Sequence, residues 1–260
     1  MKRVALTIAG SDPSGGAGIQ ADLKVFHQFG VYGEAAITLL TVQNSLTVAR
    51  VETLDPDLVT QQILAVIEDI PPHAAKTGAL GNAGIVRAVA ALAREFRFPL
   101  VVDPVMISKH GAPLVDASAR EALLGELLPN AALVTPNLPE AAALAGIEVS
   151  TVEHMKESAR RIHGLTGAKV LVKGGHLEGA ALDVLYDGAA FHEYVCERLG
   201  TPHTHGTGCT YSAAITACLA LGMALPDAAG RAKRYVTSAI RTNPGLGNGC
   251  GPVNHHAEVV

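Results

Sequence analysis

Short runs of β-branched and aliphatic residues alternate along this chain with longer stretches whose apolar positions recur at helical spacing. Residues 4–9 read as a buried strand, leading through a glycine-rich loop at 10–18 into a helix over 19–29. A second strand is predicted at 34–40, a helix at 56–70, a short strand at 74–77 and a helix at 83–96. Residues 100–103 are nearly all apolar, as expected of a parallel strand covered on both faces. Ser118 with Glu121, Asn137 with Glu140, and Ser150 with Glu153 each read as a capping box that starts a helix. Strands follow at 133–135 and 170–173. Residues 181–186 and 191–196 form a more exposed pair joined through Asp187-Gly188, a type I′ hairpin signal. Helices at 210–221 and 227–242 complete the pattern.

This alternation predicts an α/β fold with a central, mainly parallel sheet flanked by helices on both faces. No repeat, low-complexity tract or linker divides residues 1–260, so a single domain is expected. Ligands of such sheets bind beyond the carboxyl ends of the strands. The loops at that edge are therefore the ones to read for chemistry.

Composition narrows the classes. Hydrophobic residues make up 48% of the 260 and charged residues 17%, below the roughly 25% usual in soluble domains. A net charge of −4 gives no basic footprint for nucleic acid or an anionic membrane. The longest near-apolar stretch, 213–225, is too short to span a bilayer and contains Thr216 and Gly222. The basic, apolar start resembles a signal peptide, but its apolar run is too short and enters the glycine-rich loop. Cys196, Cys209, Cys218 and Cys250 form no CxxC pair and no zinc spacing. Reduced thiols in a cytoplasmic enzyme are the expectation.

The strongest local signal is His205-Gly206-Thr207-Gly208-Cys209-Thr210, directly before an apolar helix. Two glycines let successive N–H groups turn into one space, and the helix N-terminus adds partial positive charge. Together they suit an anion hole for phosphate in transfer. Cys209 falls in the first turn, where the dipole favours a thiolate able to take a proton from a hydroxyl. A tight turn followed by a buried cysteine fits the same residues. Asp103, before Pro104, and Glu140, in the first turn of its helix, bring two carboxylates to the sheet edge, which suits Mg²⁺. The capping box explains Glu140 equally well. Lys173 ends a strand before Gly174-Gly175 and could neutralise nucleotide phosphates, or simply be solvated there. Lys109-His110-Gly111 reads as a flap carrying positive charge over the phosphate, or as a surface loop.

Residues 16–21 of the first loop fit the GxGxxA dinucleotide fingerprint, which would make the chain an NAD(P)-dependent oxidoreductase. The carboxylate expected at the end of the second strand is missing, for Thr41-Val42-Gln43-Asn44 stands there. No GK[ST] follows the loop, so it is not a Walker A motif. Gln43, with both donor and acceptor, can read the edge of a heterocycle. Asp22, on the first helix, either bonds a ring amine or faces solvent. The pairs His203/His205 and His255/His256 have no acidic or thiol partner at metal spacing and read as non-ligands.

Taken together, AGSDPSGGAGIQADLK near the start, VQN at 42–44, DPVM at 103–106, TPNLPEAAAL at 135–144, VKGGH at 172–176, HGTGCT at 205–210 and the terminal GxGPVNHHA resemble one family. It is the hydroxymethylpyrimidine/phosphomethylpyrimidine kinase family of thiamine biosynthesis, within the ribokinase-like superfamily. The resemblance implies a cytoplasmic homodimer using ATP and Mg²⁺ to phosphorylate the pyrimidine alcohol and then its monophosphate. It implies that Gln43 and Val42 contact the pyrimidine, with Gly10, Ala17 and Asp22 near it. Gly206, Thr207 and Gly208 would form the anion hole, and Cys209 stands where related sugar kinases carry an aspartate base. Asn137 and Glu140 would lie near Mg²⁺ and phosphate, and Asp103, Lys173 and Lys233 around the nucleotide. Relatives often carry a larger apolar residue, commonly Met, in the stretch reading Lys76-Thr77-Gly78-Ala79-Leu80 here. Ala79 opens room for the alternative substrates pyridoxal and pyridoxine, and Cys209 as a thiolate could add reversibly to an aldehyde.

Overall fold

The near-continuous apolar runs do become strands covered on both faces. The computed structural model describes residues 2–106, 116–175 and 181–259. Its strands are β1 (Val4–Ser11), β2 (Tyr32–Gln43), β3 (Val48–Thr53), β4 (Ala74–Thr77), β5 (Leu100–Val102), β6 (Leu133–Val134), β7 (Lys169–Lys173), β8 (Ala181–Tyr186) and β9 (Phe191–Cys196). They form one sheet in the order β3-β2-β1-β4-β5-β6-β7-β8-β9. Pairing is parallel from β2 through β7, while β3 at one edge and β8 and β9 at the other run antiparallel.

The helices are α1 (Gly18–Gln28), α2 (Pro56–Asp69), α3 (Ala83–Ala93), α4 (Ala117–Ala122), α5 (Leu138–Ala145), α6 (Val152–Thr166), α7 (Thr207–Ala220) and α8 (Leu225–Arg241). Strand periodicity sorts the core into two layers. Leu100, Val102, Val134, Val170 and Val172 pack with α2 to α6. Ala5, Val101, Leu133, Leu171 and Leu185 pack with α1, α7 and α8. The residues that continue this second face at the carboxyl ends of the strands are Thr7, Lys76, Asp103, Thr135 and Lys173, and they meet the start of α7.

Several local expectations are corrected. Asp116, not Ser118, caps α4, accepting from Ala119 N, and Thr151, not Ser150, caps α6, accepting from His154 N. The Asn137/Glu140 box forms with both of its bonds. The β8–β9 connection is not a two-residue turn but residues 187–190, closed by Asp187 Oδ1 accepting from Ala189 N and Ala190 N. Strand β3 was not foreseen. Its residues are mostly exposed, so it carries no burial pattern and is held by pairing with β2. Lys109, His110, Gly111 and His176 lie outside the described residues.

Candidate active site

Two loops build the floor of the site. In the first, after β1, Asp12 acts as the organiser: Oδ1 accepts from Ser14 N at 2.9 Å and Ser14 Oγ at 2.7 Å. Its Oδ2 accepts from Ala17 N at 2.9 Å and meets His205 Nε2 at 2.7 Å. Burial alone would raise the pKa of Asp12, but the hydrogen bonds from His205 and Ser14 outweigh it and hold the carboxyl at about 2. The second loop ends at Gly206, whose φ of +80° turns the chain into α7. A Cβ there would collide with the carbonyl of Gly16, so the sharp entry and the close packing of the two loops both require glycine. The second loop is also tied to the C-terminal segment, since His205 N donates to Gly251 O and Val253 N donates to His205 O.

Cys209 lies where these loops meet, half-buried, with the N–H of Gly18 at the start of α1 directed to its sulfur. The N-termini of α1 and α7 thus converge on one thiol. Burial nevertheless pushes its pKa up to about 11, against the pull of the Lys76 ammonium. The expectation of a resting thiolate is therefore corrected: desolvation outweighs the helix ends, and the group rests as a thiol.

Lys76 is the principal residue not assigned from sequence. It is fully buried, and its Nζ lies 2.7 Å from Asp22 Oδ2, also fully buried. Thr7 Oγ1 donates to the same oxygen at 2.6 Å. Asp22 Oδ1 is buried with no hydrogen-bond partner among the described residues, so Asp22 does not face solvent and keeps one acceptor free for a ligand donor. Burial opposes the Lys76 charge, but the Asp22 carboxylate at hydrogen-bond distance, with Asp103 behind it, keeps the ammonium protonated.

A second charged group stands beside the first. Lys173 Nζ donates to Asp103 Oδ1 at 2.8 Å, and Thr135 Oγ1 donates to that oxygen at 3.1 Å. Ser212 Oγ, on α7, donates to Asp103 Oδ2 at 3.4 Å. Burial lifts Glu140 to about 7, with Asp103 adding to the shift and Lys173 opposing it. Glu140 is thus both the cap partner of Asn137 and a member of this cluster. Gly208 faces the cluster closely, for a Cβ there would lie 3.5 Å from Lys173 Nζ. Thr207 turns both its hydroxyl, at 2.7 Å, and its backbone N–H, at 3.3 Å, to Thr204 O, so that N–H reaches an anion only by giving up this bond.

The remaining candidates divide. Gln43 reaches His205, with the amide 3.3 Å from Nε2. Val42 points to the opposite side of the strand from Gln43 and leaves 58% of its surface exposed. Gly10 packs against Leu39 with no room for a Cβ, and Ala17 contributes its N–H to Asp12. Lys233 is bound to Asp183 Oδ2 at 2.7 Å, while Asp183 Oδ1 accepts from Gly174 N. It thereby supports the chain just after Lys173 instead of joining the Asp103 group. Among the described residues no three His, Cys, Asp or Glu side chains are grouped to hold a metal. The paired carboxylates suit only an ion that keeps waters and takes its other oxygens from phosphates.

A family model described as phosphomethylpyrimidine kinase matches residues 12–254. The thiamine biosynthesis bifunctional protein ThiED of Geobacter sulfurreducens is 50% identical over 96% of this chain, and the chain spans 51% of that protein's length. The hydroxymethylpyrimidine/phosphomethylpyrimidine kinase of Synechococcus elongatus is 46% identical, with 97% of each chain covered. An ADP complex of Bacillus subtilis pyridoxal kinase superposes with a TM-score of 0.92 at 42% identity, covering 99% of this chain and 98% of that one. Phosphomethylpyrimidine kinase from Clostridium difficile 630 gives 0.82 at 44% identity, covering 92% and 100%.

Proposed function

The chain belongs to the phosphomethylpyrimidine kinase family, and from that membership we propose that it moves the γ-phosphoryl group of ATP onto 4-amino-5-hydroxymethyl-2-methylpyrimidine and then onto the resulting monophosphate. The observation that carries the reading is the convergence of two helix N-termini on Cys209, with the ammonium groups of Lys76 and Lys173 in electrostatic reach. Phosphoryl transfer asks a protein mainly for positioning and charge stabilisation, and this site is made of both. The fingerprint at 16–21 instead serves the Asp12 network, and the oxidoreductase reading falls with the kinase relatives.

The substrate hydroxyl attacks the γ-phosphorus in line as the bond to the β-phosphate oxygen breaks. The N–H groups of Gly206 and Gly208 and the Lys173 ammonium take up the charge on the transferring group, joined by the Thr207 N–H when phosphate draws it from Thr204 O. Cys209 first releases its proton to solvent, a loss that Lys76 favours, and the thiolate then accepts the hydroxyl proton. Asp103 and Glu140 would hold Mg²⁺ through few protein oxygens, and the ion would supply charge neutralisation at the phosphates. Lys109 is assigned to the nucleotide by resemblance alone, and Lys233 to support of Gly174. The active form is a homodimer in the cytoplasm, and light scattering checks the assembly. No described helix is long and apolar enough to cross a membrane.

A second substrate class is favoured by the likeness to pyridoxal kinase and by the small side chain of Ala79. Steady-state assays with MgATP should compare hydroxymethylpyrimidine, its monophosphate, pyridoxal and pyridoxine. Turnover of both pyrimidines is expected. Preference for pyridoxal would move the assignment to the second class, and no turnover with any of the four would overturn the kinase reading.

A further inference from the structure

His205 is held rigidly. Its backbone bonds to Gly251 and Val253, and its ring packs so closely on Gly16 that a Cβ there would lie 2.5 Å from Cδ2. Its Nε2 lies 2.7 Å from Asp12 Oδ2, and both side chains are buried. The carboxyl is ionised, with its pKa at about 2, so it can only accept. Nε2 must therefore carry a proton and donate it to Asp12, whatever the state of Nδ1.

The amide of Gln43 approaches the same Nε2 at 3.3 Å. A protonated Nε2 has no lone pair left for an NH₂ donor. The amide atom on that side must then be the oxygen, sharing the Nε2 proton with Asp12. Oxygen and nitrogen of an amide are told apart by such networks, not by shape. The NH₂ consequently points away from His205, and that arm makes no other hydrogen bond among the described residues.

We propose that Asp12 and His205 are positioning residues for substrate recognition: they fix the Gln43 amide with its oxygen on His205 and its NH₂ toward the ring, so that the site selects a heterocycle offering a hydrogen-bond acceptor at that edge. This rests on the reading of Gln43 as a ring contact. Ring discrimination is then set partly by residues that never touch the substrate.

The test compares kcat and KM for hydroxymethylpyrimidine and for ATP across variants of both residues. Gln43→Leu should raise the pyrimidine KM about tenfold, the cost of one lost hydrogen bond, with the ATP KM unchanged. Gln43→Glu keeps an acceptor for His205 but removes the NH₂, and should lose as much. His205→Leu should show the same selective rise, while His205→Gln, which can donate to both partners, should recover most of it. If Gln43→Leu leaves the pyrimidine KM unchanged, the ring-contact reading fails and the proposal with it. A loss with Gln43→Leu but none with His205→Leu, or near-normal KM with Gln43→Glu, would overturn the positioning role alone. Should His205→Leu not fold, ¹⁵N spectra of histidine-labelled wild-type protein decide, since an unprotonated Nε2 on His205 would sink the proposal.

Discussion

Cys209 and Lys76 form a pair whose protonation states depend on each other. Cys209→Ala removes the proton acceptor without touching the nucleotide side of the site. Turnover should fall about a hundredfold or more, with the ATP KM nearly unchanged in initial-rate assays. Lys76→Met should act on both stability and rate. It leaves the Asp22 carboxylate buried and unpaired, which costs about 3–5 kcal/mol, and removes the charge that favours the Cys209 thiolate. The double variant Asp22→Leu/Lys76→Met should recover most of the melting temperature and none of the turnover, and recovery of turnover would make the pair purely structural. Lys76 was illegible in the sequence for a physical reason. Its partner Asp22 is 54 residues away, and the two meet only because β4 pairs with β1. Cys209 was legible as a site residue from its place after two glycines. Its protonation state was not, since sequence shows the helix end but not the desolvation that opposes it.

At the scale of elements, the entry to α7 bears the most. Gly206 combines a positive φ with a backbone neighbour that excludes any Cβ. Gly206→Ala should cost at least about 1–3 kcal/mol from the backbone alone, read as a lower denaturation midpoint together with weakened phosphate binding. The glycines announced this turn, but the helix begins at Thr207 instead of Thr210, because the Gly206 cap has no side chain to mark it. The same kind of signal succeeded at Asn137/Glu140, where acceptor and glutamate hold each other at 2.9 and 2.8 Å. It failed by a residue or two at α4 and α6, where an adjacent Asp or Thr could serve as well as the Ser. Strand β3 had no pattern to read, since neither of its faces is buried.

For the whole molecule, alternation of apolar runs with helical segments was enough to give the parallel sheet and its two helical layers. Strand order was not, because it depends on which crossovers pass over which face. One consequence of the layering is testable through pH. Glu34, on β2, is buried, and neither carboxylate oxygen has a hydrogen-bond partner among the described residues. Burial, with a smaller push from Asp69, raises its pKa from 4.5 to about 7. Between those values the folded protein keeps a proton that the unfolded chain has lost, so this group makes stability fall as pH rises through that window and then level off. Glu34→Gln should remove that part of the slope, stabilising the protein relative to wild type at pH 8 and leaving it close to wild type near pH 4. Urea midpoints at the two pH values check it, and an equal effect at both would assign the change to packing instead of charge.

The backbone bonds that tie His205 to Gly251 and Val253 have a consequence for how the molecule is made. Chains emerge from the ribosome N-terminus first, and domains fold as their parts appear. The strands from β1 to β9 are all available before residue 251 is, yet the loop that would cradle phosphate is bounded by a segment translated after everything it serves. A nascent chain can therefore own a finished sheet and still be inert, and competence to bind phosphate should switch on late, as the last clasp closes and not as the core collapses.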